Sequence, residues 1–147
     1  PGLRDAVARL RKAGYKEVVL VGHSAGGVVV RRFVELHPDA GVAKVIAVAA
    51  PFAGAELATL KIGYPKVQAP FVQSLAPEAR AKANQPPPGK DVQFACVVCK
   101  LRNLESDGLV PVRSQWPDDL RKAGVPVVLA QSSHFDVKYS PDAAKVI

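Results

Sequence analysis

The sequence predicts an α/β fold, a mostly parallel sheet with helices on both faces. Three observations carry that prediction. Helix-like and strand-like segments alternate over residues 2–49; the strand-like ones are continuous apolar runs, the pattern of strands covered on both sides; and Ala and Val fill 45 of the 147 positions, a Val-rich composition that suits a sheet. The length is that of one domain, and 48% hydrophobic against 22% charged residues excludes a disordered chain. Charged residues interrupt every long apolar run before the roughly 18 residues needed to cross a bilayer.

Leu3, Val7 and Leu10 recur at helical spacing among Arg4, Asp5, Arg9, Arg11 and Lys12, with Gly14 as a stop, so residues 2–13 read as an amphipathic helix. A β-branched run, residues 17–21, ends at Gly22. Residues 25–36 form a mostly apolar helix closed by His37 and Pro38, and residues 44–49 a second buried strand. From Pro51 to Lys90 the regularity fails: Pro65, Pro70, Pro77 and Pro86 to Pro88 punctuate scattered apolar residues, among them Leu57, Leu60, Ile62, Tyr64, Phe71 and Leu75. A stretch of that length without regular structure points to a lid-like insertion at about residues 52–90 covering a pocket, with an ordinary crossover helix as the alternative. Strands at 92–98 and 125–130 follow, with a short helix at 118–123 ended by Gly124 between them, and Ser140, Pro141 and Asp142 open a last helix. Residues 1–147 thus read as one domain.

The net charge of +7 and pI of about 9.7 allow attraction to phosphate or to an anionic membrane surface. The positive residues are scattered, however, and their clusters (Arg9, Arg11 and Lys12; Arg31 and Arg32) lack the interleaved aromatics of single-strand binders, which argues against nucleic acid as a partner. Cys96 and Cys99 sit three apart on a predicted strand and so point to opposite faces; they read as core thiols, not as a disulfide or half a zinc site. No metal and no cofactor is expected.

Gly22, His23, Ser24, Ala25 and Gly26 spell G-x-S-x-G between a predicted strand and a predicted helix, the context of a nucleophile elbow. The tight turn lifts Ser24 into open space, and Gly22 and Gly26 are expected where side chains would collide with neighbouring elements. The helix N-terminus offers the Ala25 N–H to a developing oxyanion. A dinucleotide fingerprint would need Gly in place of Ser24 and an acidic residue near Ala50, and a phosphate loop would need Lys where Val28 stands; both fail. Serine needs a base. His37 lies 13 residues along the helix, about 20 Å from Ser24, and His23 is adjacent to it, so their side chains diverge. His134, in the loop after the fourth strand, reaches the same carboxyl edge of the sheet as Ser24. The orienting carboxylate is expected from Asp107, whose turn continues into Leu109, Val110 and Pro111, with Glu105 and Asp136 as alternatives.

These residues carry a resemblance to the α/β-hydrolase superfamily, in particular its lipases and esterases. Gly22 to Gly27 is similar to G-H-S-x-G-G, Pro51 to Gly54 to P-H-x-G with Phe52 in place of the frequent His, Asp107 to Pro111 to the acid turn D-G-x-V-P, and Ser133 to Phe135 to the histidine loop. The resemblance implies a serine hydrolase cleaving small-molecule or lipid carboxylic esters through a Ser24–His134–Asp107 triad and an acyl-enzyme. An acyltransferase of the same fold and a non-catalytic binding module are the alternatives. Family members have several strands before the elbow and usually a second oxyanion N–H from a loop there. Because this chain opens on Pro1, contains no Met and has no room for those strands, it is expected to be the C-terminal part of a domain. Oligomeric state and compartment are left open by the sequence.

Overall fold

A computed structural model describes residues 2–60, 65–83 and 91–145. Four strands, β1 (Val18–His23), β2 (Val42–Val48), β3 (Gln93–Lys100) and β4 (Val127–Gln131), form one sheet in that order, every pair parallel. Each strand lies within two residues of its predicted bounds. Helix α1 (Leu3–Lys12) carries Asp5 in its first turn and Arg9, Arg11 and Lys12 in its last, charges that complement the helix dipole. Gly14, at φ +94°, ends it. Helix α2 (Ala25–Leu36) buries Val28, Val30, Phe33 and Val34.

Strands laid down consecutively in one direction, with the right-handed crossovers that parallel pairs demand, put their connecting helices on one face. There Val18, Leu20, Val45, Phe94, Cys96 and Val98 of the sheet pack with α1, α2 and Leu120 of α6 (Asp118–Lys122). On the other face Ile46, Val48, Val97, Cys99 and Ala130 meet Val137 and Ala143, the latter from α7 (Pro141–Ala144). Each fully buried Val or Leu contributes about 1.5–3 kcal/mol. Cys96 and Cys99 belong to opposite faces, both as free thiols, and burial pushes each thiol pKa up to about 12.

The structure corrects one reading. β1 is not covered on both sides: Val18 and Leu20 are buried, but Val19 and Val21 are nearly half exposed, at 47% and 45%. The connecting helices lie on the other face, and α7 packs against β4, at the far side of the sheet.

The proline-punctuated stretch connects β2 to β3 through short helical pieces: turns at Glu56–Thr59 and Lys66–Gln68, α3 (Ala69–Gln73) and α4 (Pro77–Ala83). Ile62, Tyr64 and Pro86 to Pro88 lie outside the described residues. Its early part folds back on itself, since a Cβ on Gly54 (φ +94°) would fall 2.5 Å from the Pro77 Cα. Beneath the start of this stretch runs a buried charge network. Arg31, 1% exposed, bridges Glu35 at 2.9 Å and Asp119 at 2.5 Å, tying α2 to α6, and its guanidinium faces the Phe52 ring at 5.1 Å. Arg80 Nε donates to the Phe52 carbonyl at 3.2 Å. Phe52 itself is fully buried, so the position where the frequent His is replaced belongs to the core.

Candidate active site

β1 ends at His23 and α2 begins at Ala25, leaving Ser24 alone to turn the chain. Its backbone, at φ 54° and ψ −127°, lies in the left-handed half of conformational space that a side chain resists, a cost of about 1–3 kcal/mol. Two hydrogen bonds hold it there: Ser24 N donates to Val48 O at 2.8 Å, and Gly27 N to Ser24 O at 2.9 Å. Close approach dictates glycine at Gly22, where a Cβ would sit 2.5 Å from Gly26 O. The expectation for Gly26 is corrected, because a Cβ there meets nothing within 4 Å; the crowded position is Gly27, where it would fall 2.4 Å from the Ala50 Cβ. Ala25 is the first residue of α2, so its N–H is one of the first-turn donors without an intrahelical acceptor, at the positive end of the dipole.

The loops after β3 and β4 bring the other two side chains to this turn. His134, 3% exposed, is placed by its own backbone N–H, which donates to Asp107 O at 2.9 Å. Its Nδ1 lies 2.7 Å from Asp107 Oδ2 and its Nε2 2.9 Å from Ser24 Oγ. An ionised carboxylate only accepts, so Nδ1 carries the proton, and Nε2 is left to accept from the serine hydroxyl. Asp107 is 1% exposed; its Oδ1 accepts from the backbone N–H groups of Leu109 at 2.9 Å and Val110 at 2.7 Å, in a turn made possible by Gly108 at φ +94°. The two alternative carboxylates stand elsewhere. Glu105 is exposed and pairs with Lys100, and Asp136 bonds to Ser133.

Two contributors escaped the sequence. His23 does not simply diverge: its Nε2 donates to the His134 carbonyl at 2.9 Å, with the two rings 4.9 Å apart. Although the side chain is exposed, partial desolvation on its His134 side holds the His23 pKa below 6.5, partly offset by that hydrogen bond. The second is Gln115, 1% exposed at the end of the helical turn α5 (Val112–Gln115), whose side-chain amide lies 3.3 Å from Asp107 Oδ2. A histidine before the serine was in plain sight; nothing local marks Gln115.

Residues 2–79 match the family model described as lecithin:cholesterol acyltransferase, a span that contains the Ser24 turn and stops short of Asp107 and His134. The chain belongs to the lecithin:cholesterol acyltransferase family. It is similar to a metagenomic carboxyl esterase (19% identity, TM-score 0.68), covering 91% of this chain and 50% of the esterase. It is likewise similar to the mature form of the lipase BlEst2 of Bacillus licheniformis (18%, TM-score 0.67), covering 90% of this chain and 64% of the lipase. The phospholipase PlaB of Legionella pneumophila matches 77% of the chain at 18% identity and TM-score 0.61, with 30% of PlaB covered. This member of the family therefore has the α/β-hydrolase fold, over half to two thirds of the length of the first two structures. No curated protein matches the chain.

Proposed function

We propose that the chain carries the reaction centre of a serine enzyme that cleaves carboxylic esters, lipid esters in particular. The single observation behind this reading is the unbroken hydrogen-bond line from Ser24 Oγ through His134 to Asp107, at 2.9 and 2.7 Å. Ser24 attacks the ester carbonyl while His134 Nε2 takes its proton, and the buried Asp107 carboxylate stabilises the imidazolium that forms. The carbonyl oxygen becomes an oxyanion beside the Ala25 N–H and the α2 dipole. On collapse the imidazolium protonates the departing alcohol, leaving an acyl group on Ser24. Water, activated by the same imidazole, releases the acid and restores the serine.

The family match favours a second reading, in which an alcohol in place of water receives the acyl group. The first half of the reaction is common to both. Lipid esters suit the apolar side chains exposed around the crossover, Leu57, Leu60, Val67 and Phe71, and Phe135 beside His134. We read residues 1–147 as a single partial domain with 52–90 as its covering segment. The net charge of +7 suits contact with anionic lipid.

A fluorophosphonate probe tests the reading, since it reacts only with an activated serine. One label per chain is expected, abolished in Ser24→Ala and slowed about 1,000-fold or more in His134→Ala. A folded chain that takes no label would instead mark a binding module. With a p-nitrophenyl ester, added alcohol that diverts acyl groups from free acid to new ester would select transfer over hydrolysis.

A further inference from the structure

We infer that Gln115 is a positioning residue, a side chain that stands in for a missing strand segment and thereby fixes the Asp107 carboxylate against His134. The inference rests on reading Ser24, His134 and Asp107 as one centre.

The amide groups of β3 alternate between its neighbours. Cys96 N and Lys100 O bond on the β4 side, to Pro126 O at 3.0 Å and Ser132 N at 3.2 Å, whereas Val97 O accepts from Ala49 N of the β2 side at 2.9 Å. Cys99 therefore points both its N–H and its C=O toward β2. That strand has already ended at Val48, where Ala49 (φ 48°) turns the chain away. In its place stands Gln115: Oε1 accepts from Cys99 N at 2.7 Å, and Nε2 donates to Cys99 O at 2.8 Å. An amide side chain has the same donor and acceptor as a peptide unit, so it completes the ladder.

The same Nε2 donates to Val110 O at 2.9 Å and lies 3.3 Å from Asp107 Oδ2, the oxygen that receives His134 Nδ1–H. Two protons are thus shared among three acceptors. Val110 in turn gives its N–H to Asp107 Oδ1. One buried amide joins the end of β3, the acid turn and the carboxylate. An apolar side chain of equal volume would keep the packing but leave the Cys99 N–H and C=O unanswered and Val110 O with only its longer bonds from Asp107 N at 3.4 Å and Ser106 Oγ at 3.3 Å, and would free the turn to shift.

The test compares wild type with Gln115→Met, using circular dichroism for folding, fluorophosphonate labelling, and the low-field NMR resonance of His134 Nδ1–H. In folded Gln115→Met that resonance is expected to be lost to solvent exchange, with labelling slowed on the order of 10- to 100-fold. A resonance retained in folded Gln115→Met overturns the inference. Should that variant fail to fold, the decision falls to Asp107→Asn: the Gln115 side-chain amide resonances must move well beyond those of the other glutamines, and unmoved resonances overturn it. Absence of labelling in wild type would remove the functional reading, while both NMR measurements would still decide the role of Gln115.

Discussion

His23 illustrates how one side chain near the serine can make the stability of the fold depend on pH. Its Nε2–H holds the His134 carbonyl, and partial desolvation of this otherwise exposed side chain lowers its folded pKa below the 6.5 of the unfolded chain. The sign follows from proton counting. As pH falls through 6.5 the unfolded chain takes up a proton that the native state refuses, so stability is full above that value and is lost below it. Urea midpoints are accordingly expected to drop between pH 7.5 and 5.5, and His23→Gln, which keeps a donor but cannot titrate, should flatten that dependence. An equally steep dependence in the variant would assign it to another group.

At the scale of elements, the β1–α2 junction is set by close approach between backbones. Gly27→Ala drives a methyl group against Ala50 and should cost about 1–3 kcal/mol, because a packed core yields little to overpacking. Gly26→Ala, with open space at its Cβ and a helical position to gain, should be neutral or stabilising by up to about 1 kcal/mol. Thermal melts of the two variants check the contrast; equal losses would refute it. The motif alone pointed to Gly26, since a spaced pattern lists residues without saying which neighbour each one meets. Helix α1, with its helical period, and the four strands, with their continuous apolar runs, were legible for the opposite reason: their signal lies within the element itself. So was the convergence of Ser24, Asp107 and His134 at one edge, because parallel strands deliver their following loops to the same side. The four-residue α5 was not, being too short for a helical period to register. Gln115 acquires its role only because β2 stops two residues early, which is a property of the sheet and not of its own surroundings.

Across residues 1–147, a β1 face that is exposed among the described residues stands beside a strong net charge. Sequential parallel strands concentrate their helices on one face, so the opposite face of β1 presents Val19 and Val21, and among the described residues β1 pairs only with β2. An apolar edge of this kind favours association between copies. The net charge of +7 opposes it. Which prevails depends on salt: the screening length falls from about 30 Å at 0.01 M to about 3 Å at 1 M, while burial of apolar surface is not screened. The average mass measured by light scattering is therefore expected to rise from low to high salt in the wild-type chain. It should stay at the monomer value in Val19→Lys/Val21→Lys, a surface change that leaves stability within about 0.5 kcal/mol per site. A mass that falls with salt, or that rises equally in the double variant, would mean that ion pairs or another surface, and not the β1 face, bring the copies together.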